Sequence, residues 1–200
     1  MARDFTKAYE GTPPWDIGRP QGAFVALAAA GKIQGAVLDA GCGTGENALY
    51  LAGLGFEVTG IDAVPAAIAK AQVKADEHGL ATETDFRVHD ALHLETLEKI
   101  FDTVIDSGLF HTFDDAARLD WVKSLGRALR PGGHYFMLCF SELEPGDDGP
   151  RRVTQDEIRQ AFAGDAWHVE SIVAARLESQ RGSEGVQAWL ATVGRVAATG

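Results

Sequence analysis

Gly41, Gly43 and Gly45 fall on alternate positions of "VLDAGCGTGENALYLAGLGFEVTGID", the stretch from Val37 to Asp62. Two apolar runs flank these glycines, and each carries an acid at its end, Asp39 and Asp62. Such a turn lets a ligand approach the main chain where a Cβ would clash. The N–H groups of a helix starting just after it favour an anionic ligand group. Either a dinucleotide or a smaller, differently charged nucleoside would suit the glycines alone. The dinucleotide fingerprint G-x-G-x-x-G, however, needs a third glycine where Glu46 stands, and a carboxylate is a poor neighbour for pyrophosphate. No Gly-Lys-Ser/Thr follows, which excludes a Walker loop.

The elements that must position this turn follow from periodicity. Short β-branched runs alternate with longer helical segments, as in βαβ units. Strands are expected at Ala36–Ala40, Phe56–Asp62, Asp85–Asp90, Phe101–Ser107, His134–Phe140, Trp167–Leu177 and Val186–Val196. Helices are expected near Glu46–Leu54, Pro65–His78, Asp115–Leu129 and Thr154–Phe162. Pro65 suits a first helical turn, and "RPGG" (Arg130–Gly133) is expected to end a helix before the next strand. Only "ESQRGSEG" separates the last two strands, so they should form an antiparallel hairpin beside an otherwise parallel sheet. The fold class is therefore α/β, a Rossmann-like doubly wound seven-stranded sheet. Ligands bind such sheets beyond the carboxyl ends of the strands, near the point where strand order reverses. Asp39 through Gly45 belong there. Residues 1–200 read as one domain, with an arm over 1–30 and a core over 31–200; "ELEPGDDGPRR" is a loop within it.

Composition narrows the partners. The chain has 200 residues, 46% hydrophobic content and a net charge of −11. Its basic residues are scattered, which argues against nucleic acid. No apolar run approaches the roughly 20 residues needed to span a bilayer, and no secretion signal is visible. Cys42 and Cys139 lie in different elements and are expected to be reduced, in the cytoplasm. The expected partners are a small molecule and, if the chain is a homodimer rather than a monomer, a second copy of itself.

"VLDAGCGTG" resembles the first motif of class I S-adenosylmethionine (SAM)-dependent methyltransferases, an acid followed by G-x-G-x-G. "HDALHL", "FDTVIDSGLFHTF" and "LRPGGHYFMLCF" resemble the later motifs of that family, and the terminal hairpin suits its seven-stranded sheet. The resemblance implies SAM as cofactor. It implies that Asp39, Gly41, Cys42 and Gly43 line the cofactor, that Asp62 and Ala63 meet its ribose, that Asp90 and Ala91 meet its adenine, and that Asp106 and Ser107 complete the pocket. "PPWDIGRP" resembles the entrance of small-molecule methyltransferases, notably the thiopurine type and a bacterial group that methylates, and so detoxifies, heterocyclic toxins such as hydroxyquinolones. That implies roles for Trp15, Asp16 and Arg19 at the cofactor and acceptor, under an arm that closes as a lid.

Methyl transfer from a sulfonium depends on positioning and charge environment, but a hydroxyl or thiol acceptor must lose its proton. His111, in "SGLFHTF", stands a few residues past the fourth strand and is the candidate group to hold or accept that proton. Phe110 and Phe140, with Trp15, suit an aromatic acceptor, and Arg152 suits an anionic acceptor oxygen. "HDALH" has too few ligands for a metal. A halide, tellurite or thiol acceptor, or a non-catalytic SAM-binding module, are the alternatives.

Overall fold

The computed structural model describes residues 5–180 and 184–197. In chain order its elements are α1 (Gly22–Ala29), β1 (Val37–Ala40), α2 (Glu46–Gly53), β2 (Val58–Asp62), α3 (Pro65–His78), β3 (Thr84–Val88), β4 (Phe101–Ser107), α4 (Asp115–Ala128), β5 (Leu129–Phe140), α5 (Gln155–Ala161), β6 (Trp167–Leu177) and β7 (Val186–Arg195). Short 3-10 turns lie at Thr6–Glu10, Ala91–Leu97 and Phe110–Thr112.

The strands form one seven-stranded sheet in the order β3-β2-β1-β4-β5-β7-β6. β1 is buried at every position because helices cover both sheet faces, which is why it reads as a continuous apolar run. Leu38, Val104, Tyr135 and Met137 belong to a core that includes Trp121 and Leu125 of α4 and Ile158 of α5. Val37, Ile105, Phe136 and Leu138 belong to a second core with Phe24, Leu51 and Ile68 of α1, α2 and α3. Strand order reverses between β1 and β4, and the glycine turn leaves β1 at that crevice.

The seven strands and helices α2 to α5 lie where the sequence places them, with shifts at the ends. "RPGG" does not precede β5 but belongs to it: the strand starts at Leu129, paired with Phe101, and its register shifts before Thr103. A Cβ at Gly133 would stand 2.8 Å from the Asp102 carbonyl, so this irregular stretch requires glycine. Asp90 caps a 3-10 turn rather than ending a strand. Helix α1 was not expected, because "GAFVALAA" has no polar face to reveal its period. The terminal strands pair antiparallel as expected, but β7 inserts between β5 and β6 and leaves β6 at the edge. Part of the connection between them lies outside the described residues. No helix among the described residues is long and apolar enough to cross a membrane, and no group of their His, Cys, Asp and Glu residues could hold a metal.

Candidate active site

β1 delivers Asp39 to the centre of the sheet, between β2 and β4. Neither of its carboxylate oxygens meets a hydrogen-bond partner, although the residue is 1% exposed. Burial, reinforced by the nearby Asp106 carboxylate, pushes its pKa up to about 8. A buried acid without a donor is costly in a native protein, and it points to a ligand group that supplies the donor. The turn then passes through Gly43 and Gly45 at φ values of 55° and 86°, where L side chains are strained. A Cβ at Gly45 would meet the Phe86 ring at 2.8 Å. Cys42 is buried and burial raises its thiol pKa well above the ordinary value, which leaves it inert as a nucleophile.

Asp62 closes β2 and holds the turn in place. Its carboxylate accepts from the Gly43 N–H at 3.0 Å and the Val64 N–H at 2.8 Å, while Ala63 between them is exposed. Further along, exposed Asp90 accepts from the Leu92 N–H at 2.9 Å, and buried Ala91 accepts at its carbonyl from the Ser124 hydroxyl at 2.7 Å. His89 bonds to Thr96 and to the Asp90 carbonyl at the same rim.

On the other side of the crevice a relay of hydrogen bonds supports His111. The Trp121 indole donates to the Tyr135 hydroxyl at 3.2 Å, which donates to Asp106 at 2.7 Å. Asp106 also accepts from the Leu109 and Phe110 N–H groups at 2.6 and 3.0 Å. Burial raises its pKa to about 6, against the pull of these donors. The acid therefore pins the turn that carries His111, while half-buried Ser107 ends β4 opposite Leu138. His111 is the one buried histidine among the described residues. Its Nδ1 accepts from the Phe140 N–H at 3.1 Å, which assigns the hydrogen of the neutral ring to Nε2. The Phe140 ring meets it edge-on at 5.0 Å.

The N-terminal arm lies across the mouth. Tyr9 is buried with its hydroxyl 2.9 Å from where a Cβ on Gly43 would stand, and Trp15 donates to that hydroxyl at 3.1 Å. Burial and the Asp62 carboxylate push the Tyr9 pKa up. Asp16 accepts from the Thr44 hydroxyl at 2.9 Å, which ties the arm to the glycine turn. Arg19 forms a two-pronged ion pair with Glu178 at the end of β6. The Gln21 N–H donates to Asn47 of α2 at 2.9 Å.

The fold thus gathers Trp15, Asp16, Asp39, Gly41, Cys42, Gly43, Asp62, Ala63, Asp106, Ser107, His111 and Phe140 around one crevice, with Asp90 and Ala91 at its rim. Three of the expected residues are engaged by other groups of the protein. Phe110 is fully buried in the core beneath the Arg118 guanidinium and beside Phe162. Arg152 donates to five carbonyls of its own loop, from Glu144 to Pro150, while its cation lies 5.4 Å over the Phe140 ring. Arg19 is turned toward Glu178, its side chain 57% exposed. Sequence reasoning missed Tyr135, Trp121, Thr44, Lys70 and Lys74. The lysines left a trace: like charges four residues apart on α3 repel unless each has a partner.

A nucleoside carrying an ammonium group fits this crevice, because it would satisfy the orphaned Asp39 carboxylate. Comparison with known proteins agrees. The family model for a methyltransferase domain matches residues 37–133. A 2-heptyl-1-hydroxyquinolin-4(1H)-one methyltransferase of Mycobacteroides abscessus is 41% identical over 167 residues, 82% of this chain and 73% of that protein. "Probable thiol methyltransferase 2" of Arabidopsis thaliana is 28% identical over 187 residues, 92% of this chain and 82% of that protein. A solved structure described as "Conversion of a Disulfide Bond into a Thioacetal Group during Echinomycin Biosynthesis" is 42% identical, with a TM-score of 0.88, and covers 98% of this chain and 93% of that one. On these grounds the chain belongs to the SAM-dependent methyltransferases.

Proposed function

We propose that this methyltransferase acts on an acidic hydroxyl of a small aromatic or heterocyclic molecule of the hydroxyquinolone kind, in the cytoplasm, as a detoxifying step. The observation that carries this reading is His111, buried at the crevice with its tautomer assigned by the Phe140 N–H. SAM, when bound, supplies an electrophilic methyl group on a positively charged sulfur. Asp39 holds the ammonium end and Asp62 the ribose hydroxyls. Ala63 borders the ribose, and the Asp90 and Ala91 segment meets the adenine. The turn from Gly41 to Gly43, with Cys42 between, follows the methionine portion beside Ser107. Asp106 acts through the turn it pins. His111 offers the Nε2 hydrogen to the acceptor oxygen, which holds an ionised hydroxyl in line and disfavours its reprotonation. Phe140 and Trp15 bracket the acceptor ring, and Asp16 fixes the arm above it.

The relative that methylates 2-heptyl-1-hydroxyquinolin-4(1H)-one supports this acceptor. A second reading, transfer to sulfur, is supported by the thiol methyltransferase relative and by the disulfide chemistry named for the solved structure. Methyl-labelled SAM offered with a panel of N-hydroxyquinolones, phenols and thiols tests the choice. Label entering the N-hydroxyquinolone oxygen is the expected result, and label entering thiols alone would replace the first reading with the second.

A further inference from the structure

Helix α3 carries Lys70 and Lys74 one turn apart on a stretch otherwise rich in alanine. Both reach the arm or the loop beneath it. The Lys70 ammonium donates to the Tyr9 and Gly11 carbonyls at 2.9 and 2.7 Å. Lys74 donates to the Thr44 hydroxyl at 2.9 Å and to Glu46, and its ammonium lies 3.9 Å from Asp16. Two carboxylates, one on the arm and one on α2, thus share a single cation with a threonine of the glycine turn. The far side of the arm is held by different groups. The Gln180 N–H donates to the Pro14 carbonyl at 2.7 Å, and Arg19 pairs with Glu178. The arm is therefore anchored at both margins of the crevice, to α3 beside the glycine turn and to the end of β6, where Leu177 and His111 both lie within 4 Å of a Cβ placed on Gly108.

We infer that the arm is a two-ended latch, in which Lys70 and Lys74 close the cofactor side and the Arg19–Glu178 pair closes the acceptor side. This rests on the reading that the glycine turn seats the cofactor. With Lys74 neutralised, Asp16 and Glu46 face each other uncompensated, and their repulsion lifts the arm from the turn. Lys70 holds only main-chain carbonyls, so its contribution is independent of the arm's side chains. Cofactor exchange must then break the α3 contacts, whereas acceptor exchange need break only those at β6. Lys70 and Lys74 are positioning residues, remote from the transferred methyl.

The test measures release of S-adenosylhomocysteine from the wild-type enzyme by stopped-flow tryptophan fluorescence, with excess sinefungin as chase. Lys74→Met should release it about tenfold faster, the scale of a hydrogen bond to a charged group. It should raise KM for SAM without lowering kcat, and Lys74→Arg should restore both. Lys70→Met should act in the same direction. Arg19→Met should raise KM for the acceptor and leave S-adenosylhomocysteine release unchanged. Limited trypsin digestion should cleave the arm of Lys74→Met faster while the core survives, which separates a lifted arm from a loosened fold. Unchanged release in both lysine variants would overturn the latch and leave the cofactor seat standing. Failure of the wild-type chain to bind S-adenosylhomocysteine would overturn the seat and the latch together.

Discussion

The Phe140 N–H donates to Nδ1 of His111 across 3.1 Å, so the end of β5 decides which imidazole nitrogen carries the hydrogen. A ring held this way is a hydrogen-bond donor at Nε2 and becomes a base only if the Phe140 contact is surrendered. His111→Gln, whose amide donates from a similar position, should therefore keep more activity on an N-hydroxy acceptor than His111→Ala. The alanine variant should lose about 100- to 1,000-fold in kcat, the scale of removing one preorganised hydrogen-bond donor. Cofactor binding should be unchanged in both. Full activity in His111→Ala would remove the residue from the reaction.

Asp39 gives a pH dependence whose sign can be worked out. Its carboxyl titrates near pH 8 in the fold against an ordinary 3.8, because it is buried and lies near Asp106. The folded chain thus keeps a proton that the unfolded chain releases, and stability from this group falls as pH rises from about 4 to about 8. A cationic group placed beside it favours the carboxylate, so S-adenosylhomocysteine binding at pH 7 should release a proton. Calorimetry in buffers of different ionisation enthalpy reads this directly. Asp39→Asn should raise the Tm of the free enzyme at pH 8 and weaken binding. Equal affinity with no proton release would show that the ammonium end does not lie there.

Asp106 accepts three hydrogen bonds in a buried setting, from Tyr135, Leu109 and Phe110. Asn in its place must turn an NH2 group toward at least one donor. Asp106→Asn should cost about 2–3 kcal/mol, as buried charged hydrogen bonds do. Tyr135→Phe should cost about 1–3 kcal/mol, since it also orphans the Trp121 indole. Denaturant unfolding measures both. Both should lower kcat as well, because the turn that carries His111 loosens.

Gly43 couples the cofactor turn to the arm by sheer proximity, since an added Cβ would lie 2.9 Å from the Tyr9 hydroxyl. Gly43→Ala should weaken SAM binding through two causes, the positive φ of 55° and the displaced tyrosine. Adding Tyr9→Phe removes the clash and leaves the backbone strain of about 1–2 kcal/mol, so it should restore part of the affinity. Binding isotherms of the two variants separate these causes. No recovery in the double variant would place the whole effect in the backbone.

The sequence by itself determined the elements and the turn. Alternation of apolar residues sets strands and helices over a few residues, and the spacing of Gly41, Gly43 and Gly45 before Glu46 is a purely local signal. Asp39 and Asp62 were legible for the same reason, because each ends a run that the turn must join. Tertiary structure decided what depends on chain segments far apart. Insertion of β7 between β5 and β6 follows from packing two faces of a sheet, which no local period encodes. The roles of Tyr135 and Trp121 arise because β5 and α4 bring their polar tips to Asp106, in a core where their rings look like ordinary filling. Phe110 and Arg152 carried suitable chemistry in the sequence, yet burial took one and its own loop carbonyls took the other. Lys70 and Lys74 meet the arm only because α3 folds back beside the glycine turn, and an ammonium finds its oxygen partners by proximity in space rather than by position in the chain.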